Sequence, residues 1–228
     1  MDRELSFNDA CRLYVGRVFL CMLCCFASVA QADTYDDFIF AVKFNDVQTV
    51  QALLGKGMDA NATEQVRGET VMMIALREKS GKVFAALLKH PDIKLEARAS
   101  NGDTALMLAS YLQNLPAVSQ LIAAGASINQ AGWTALHYAA AVGDTPIMLA
   151  LFDKTADINA ESPNKTTPLM MAVRSGNTAV VQLLLDKGAD IHRINDLGLS
   201  ALDFAVQLEK REITAVLSAR LKQNGKSH

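Results

Sequence analysis

The chain has 228 residues, half of them hydrophobic and a fifth charged, and its 22 basic and 24 acidic side chains leave a net charge of −2. That composition describes a folded chain rather than a disordered one. Near-neutrality excludes nucleic acid as the default partner, because phosphate binding needs a basic face.

The first element reads as an export signal. Arg12 and Arg17 precede an apolar run from Val18 to Ala30, followed by the Ala30-Gln31-Ala32 site and Asp33. Positive charge, a short apolar core and an A-x-A site are the parts of a secretory signal peptide. The core is 13 residues long, too short for a spanning helix, which needs about 20. Residues 1–32 are therefore expected to be cleaved near Ala32. The mature protein is then exported, periplasmic or extracellular, with no stable membrane insertion. Asp2, Glu4 and Asp9 put acid upstream of the basic residues, which points to a true start downstream of Met1. Cys11, Cys21, Cys24 and Cys25 all lie in this segment. None follows the Leu-x-(Ala/Gly) pattern of lipid attachment. The mature chain is expected to carry no disulfide and no thiol chemistry.

The rest of the chain repeats. Thr70, Thr104, Thr134, Thr167 and Ser200 each precede a similar apolar segment, at spacings of 34, 30, 33 and 33, and a degenerate first copy has Asp36 in the anchor place. Five residues after the anchor every copy has alanine: Ala41, Ala75, Ala109, Ala139, Ala172 and Ala205. A side chain that small lets two helices approach closely. Ten after the anchor come Asp46, Ser80, Asn114, Asp144, Asn177 and Lys210. Five of these are good N-cap residues, so a second helix is expected to begin there. Pro116 and Pro146 sit in its first turn, where proline costs little. That helix carries an i, i+3, i+4 apolar stripe, as in Val118/Leu121/Ile122 and Val181/Leu184/Leu185. It ends near Gly57, Gly125 and Gly188, suited to a left-handed closing position. Pro91 and Thr155 hold that place in the second and fourth copies, which must close differently. Segments such as "ASIN" at Ala126 and "ADIN" at Ala156 lead on.

The T-x-L-x-x-A core at Thr104, Thr134 and Thr167, the T-x-L-H match from Thr134 to His137, and "LLLDKGADI" from Leu183 to Ile191 resemble the ankyrin-repeat family. The resemblance covers about residues 35 to 221. It implies an all-α repeat solenoid of about six helix–turn–helix repeats with projecting β-turn fingers, near 35–65, 66–99, 100–130, 131–162, 163–195 and 196–221. The domain is expected over 33–221, with 222–228 a disordered tail. Each unit exposes apolar surface alone, so the units must stack and the end copies should be atypical. The third finger is three residues short of the 33 period, which should draw Trp133 toward the helices.

No catalytic, cofactor or metal constellation stands out. His90, His137, His192 and His228 include no pair at metal-binding spacing. There is no phosphate-binding glycine loop and no nucleophile elbow. The resemblance implies that His137 braces the turn through Thr134 rather than acting in catalysis. Met72, Met73, Met107 and Met170 fall in inward slots and read as gap-filling core. The functional reading is a non-catalytic, monomeric protein-binding scaffold working through the concave face. Its candidate contacts are Trp133, Tyr138, Tyr111, Met171, Arg77 and Arg174, because aromatics and arginine anchor interfaces. Met171 stands in a column with Phe40, Ile74, Leu108, Tyr138 and Phe204, which the resemblance implies is partly exposed on the concave edge: a candidate contact stripe, or else a column that only stacks between neighbouring helices. The alternatives are a periplasmic small-ligand, metal or oxidant-binding module using the methionines, and a secreted effector.

Overall fold

The computed structural model describes residues 34–224. The expected signal segment and the end of the expected tail lie outside the described residues. The described residues form twelve helices and no strand. They pair as α1 (34–43) with α2 (Val47–Gly55), α3 (Val71–Arg77) with α4 (Gly81–Leu88), and α5 (Ala105–Tyr111) with α6 (Leu115–Ala123). Then come α7 (Ala135–Val142) with α8 (Thr145–Phe152), α9 (Pro168–Ser175) with α10 (Thr178–Asp186), and α11 (Ala201–Gln207) with α12 (Arg211–Asn224). The last helix therefore carries Lys222, Gln223 and Asn224, which the sequence reading assigned to the tail.

The odd-numbered helices form one layer, α3 against α5, α5 against α7, α7 against α9 and α9 against α11. The even-numbered helices lie behind them. The six alanines five after the anchor are all buried, which is what lets the front helices lie close. Val118, Leu121, Met148, Leu151, Val181 and Leu184 fill the space between layers with no exposure. Ile213 and Leu217 continue that stripe into the last helix.

The anchors start the front helices. Thr70, Thr104, Thr167 and Ser200 are N-caps whose hydroxyl oxygens accept from the N–H three residues on. The rear helices are capped by Asp46, Asn114, Asp144 and Asn177. Ser80 departs from the expectation. Its hydroxyl donates to the Lys43 carbonyl of the preceding repeat and makes no cap bond. The reason lies in Asn45, whose Oδ1 accepts from the Lys82 and Val83 N–H groups at 3.0 and 3.2 Å. The neighbouring repeat caps α4 in place of its own serine.

Gly57, Gly125 and Gly188 all take positive φ after their helices. Thr155 takes the same left-handed place with φ of 61°. The loops between repeats are joined by an asparagine ladder. The Asn61, Asn129 and Asn159 Oδ1 atoms accept from the N–H of Lys94, Asp157 and Asp190 in the following loop. Asn61 and Asn129 also donate through Nδ2 to the carbonyls of Asp92 and Thr155. Glu96 takes the asparagine's part for Ser127. The fingers bear two isolated antiparallel bridges, Thr63 to Thr70 and Ile194 to Ser200.

Candidate functional site

The fourth repeat brings Trp133, His137 and Tyr138 together, and the reason is local. Thr134 has extended backbone (φ −125°, ψ 163°) and opens α7. Trp133 stands just before it, and His137 and Tyr138 lie one turn in. Both rings lie close to the indole. The Trp133 ring lies 5.2 Å from the imidazole and 6.3 Å from the Tyr138 ring, centroid to centroid. Trp133 is half-buried, like its counterparts Asp103 and Leu199, while Glu69 and Thr166 are buried, so the shortened finger does not bury it more deeply than its counterparts.

His137 is fully buried and structural. The Thr134 N–H donates to Nδ1 at 3.2 Å, so Nδ1 is the bare nitrogen. Nε2 then carries the hydrogen and donates to the Thr166 carbonyl in the next loop at 2.9 Å. Burial lowers its pKa to about 4, against smaller opposing effects from the Thr166 and Ala160 backbone and Asp157. The ring is therefore neutral at neutral pH.

The same slot shows what the methionines do. Met107 and Met170 occupy it in the third and fifth repeats, and their Sδ atoms accept from the Thr104 and Thr167 N–H groups at 3.4 and 3.5 Å. Asp203 does this in the sixth repeat, accepting from Ser200 N–H at 2.8 Å. Nitrogen, sulfur and oxygen thus perform one capping task. Met72, Met73, Met107 and Met170 are all buried. They serve packing and capping, and their sulfurs present no open face to a soft metal.

Tyr138 looks toward the third repeat. Its hydroxyl donates to Oδ1 of Asp103, and its ring meets that of Tyr111 edge-on, 6.1 Å between centroids. Burial, then the hydrogen bond and charge of Asp103, raise the Tyr138 pKa above its ordinary value, so the phenol stays a donor. Asn101 Nδ2 donates to Oδ2 of Asp103 at 2.6 Å. Tyr111 is 51% exposed. Arg77 is spent on Glu69, with Nε reaching both carboxylate oxygens at 3.2 and 3.1 Å and Nη2 reaching Oε1.

Of the six candidate contacts, the structure gathers Trp133, Tyr138 and Tyr111 into one contiguous group. Met171 and Arg174 sit on α9, the next front helix, half-buried and exposed respectively. The expected apolar stripe is broken. Phe40 is 60% exposed and Tyr138, Met171 and Phe204 are half-buried, but Ile74 and Leu108 are buried where the front helices close over them. Sequence reasoning missed Asp103, which belongs to the group through Tyr138. The only signal was its place just before the anchor Thr104, the column that holds Trp133 and Glu69. It also missed Phe44, whose ring stacks on that of Phe40 at the start of the array, 4.2 Å between centroids, with both residues exposed.

Among the described residues no cluster of three or more histidine, cysteine or acidic side chains is arranged for a metal, and no helix is long and apolar enough to cross a membrane. The family model described as ankyrin repeats (3 copies) matches residues 38–131, 82–162 and 159–226. The chain belongs to the ankyrin-repeat family. Among curated proteins with similar ankyrin segments, it is 31% identical over 135 residues to a Xenopus tropicalis protein named neurogenic locus notch homolog protein 1. It is 30% identical over 134 residues to human Rabankyrin-5, and 31% over 139 residues to the nuclear factor NF-kappa-B p105 subunit of Gallus gallus. These alignments cover 58%, 56% and 58% of this chain but only 5%, 11% and 14% of the relatives. The chain thus spans a small part of the length of the curated relatives it matches.

Proposed function

We propose that this ankyrin array is a non-catalytic, monomeric scaffold that binds a protein partner along its front helices, in the periplasm or cell envelope. The observation that carries the reading is the Trp133–Tyr138–Tyr111 group. Three large aromatic rings are held by the fold yet remain partly exposed on the layer of front helices. Rigid aromatic anchors of this kind dominate interface energies. Arg77 and Arg174 flank the group on the neighbouring front helices, and Met171 extends it onto α9. The export signal read from residues 1–32 supports the location.

The test is capture from an envelope extract by the full chain, followed by titration of the captured partner. Trp133→Ala should weaken binding by about 2 kcal/mol while thermal unfolding stays cooperative. A Trp133→Ala/Tyr138→Ala chain that captures the same partner with unchanged affinity would remove the front face from the reading.

A further inference from the structure

The aromatic group has an electrostatic peculiarity. Asp103 is half-buried, and both hydrogen bonds to its carboxylate come from neutral donors, the Tyr138 hydroxyl and the Asn101 amide. Among the described residues no lysine, arginine or histidine lies within ion-pair distance of it. The nearby cations are engaged elsewhere. Arg77 is neutralised by Glu69. Arg98, on the same finger as Asp103, donates to the Gly102 carbonyl and to Gln130. A carboxylate offers about four acceptor positions, and here two are filled. The carboxylate therefore has no ion-pair partner beside the three aromatic rings.

Resting on the scaffold reading, we propose that the Trp133–Tyr138–Tyr111 group and Asp103 receive a basic side chain, lysine or arginine, projecting from the protein partner. Two arguments lead there. Ring faces carry negative potential and attract a cation placed over them. Tyr138 also ties the rings to the carboxylate, so a partner that covers Trp133 and Tyr138 also strips water from Asp103. An apolar side chain at that spot would leave the charge desolvated and unpaired, which is costly. A neutral or acidic partner surface is selected against by the same carboxylate.

The experiment uses the full chain and its built-in reporter, since Trp133 is the only tryptophan among the 228 residues. The probes are N-acetyl-lysine amide and N-acetyl-arginine amide. The matched neutral controls are the norleucine and citrulline amides, all at constant chloride. The expected result is a saturable change in tryptophan emission with both cations, with a dissociation constant on the order of ten millimolar, and none with the controls. Asp103→Asn keeps an acceptor for Tyr138 and should weaken cation binding about tenfold with an unchanged circular dichroism spectrum. Emission that responds equally to the neutral amides, no saturable response at all, or undiminished binding in D103N would each overturn the proposal. Failure here with Trp133-dependent capture intact leaves the scaffold standing. Cation binding with capture indifferent to Trp133 removes the partner while keeping the cation site.

Discussion

Replacing His137 by methionine should flatten the acid limb of this protein's stability. Burial lowers the His137 pKa to about 4, against 6.5 for the unburied side chain. Between those values the unfolded chain binds a proton that the folded chain refuses. Stability therefore rises with pH through that window and falls as the solution is acidified from about 6.5 toward about 4. Applying the linkage relation to these two values, the wild type should lose about 2 kcal/mol between about pH 7.5 and about pH 5 from this one ring. Methionine already fills the slot in the third and fifth repeats, where Sδ accepts the N-cap N–H. His137→Met thus keeps an acceptor for Thr134 but loses the bond from Nε2 to the Thr166 carbonyl. It should cost about 1 kcal/mol at neutral pH and remove the titration. The assay is urea unfolding at a series of pH values, followed by Trp133 emission and by circular dichroism. Carboxylates whose pKa is lowered, such as Asp203 through its bonds to Ser200, act at lower pH and are common to both chains. A variant that loses as much stability as the wild type between about pH 7.5 and about pH 5 would refute the assignment of a buried neutral imidazole.

Further outcomes concern the backbone and the loops. Thr155 is β-branched with φ of 61°, so Thr155→Gly should raise the thermal midpoint, with a net gain of about 0.5–1 kcal/mol after the glycine's own entropy cost. Gly143 and Gly125 both have positive φ, but a Cβ on Gly143 would collide with the amide of Asn177, the cap of α10, whereas one on Gly125 meets nothing within 4 Å. Gly143→Ala should therefore destabilise by at least about 1 kcal/mol more than Gly125→Ala in parallel denaturation curves. Asn129→Ala removes two hydrogen bonds between the third and fourth loops and should cost about 1–3 kcal/mol, with faster amide exchange at Asp157 than in the wild type.

The fold was legible because repetition multiplies weak signals. One Thr before an apolar segment says little, but aligned with five more it fixes the helix starts, the buried alanines and the closing glycines. Ser80 marks the limit. It has the composition of a cap and the position of a cap, yet the bond it would make is supplied from Asn45, thirty-five residues earlier. No local rule reads a partner at that distance. The site was half legible for the same reason. Trp133 and Tyr138 stood out as departures from the repeat, whereas Asp103 reads as a routine finger residue until the third and fourth repeats are stacked. Ile74 and Leu108 erred in the other direction. Their column is right, but how far each is covered depends on the neighbouring helices, which one-dimensional spacing does not carry.

The positive-φ residues at the turns within each repeat, Asn45, Lys79, Gln113, Gly143, Gly176 and Glu209, stand where neighbouring repeats meet. At the first junction Asn45 clasps α4. At the third, Gln113 donates to the Val142 carbonyl. At the fourth, Gly143 lets Asn177 close in. Lys79 has no acceptor to offer α6, and Pro116 in the first turn of that helix has no N–H to give. Among the described residues no hydrogen bond joins these two turns, and a groove of about 380 Å³ lined by Lys79, Phe84, Leu112 and Pro116 opens between them. Glu96 and the finger contacts of Arg98 still fasten the loops on the opposite side. The junctions are therefore built differently along the array: side-chain hydrogen bonds join the turns at the first and third, and an apolar-lined groove separates them at the second.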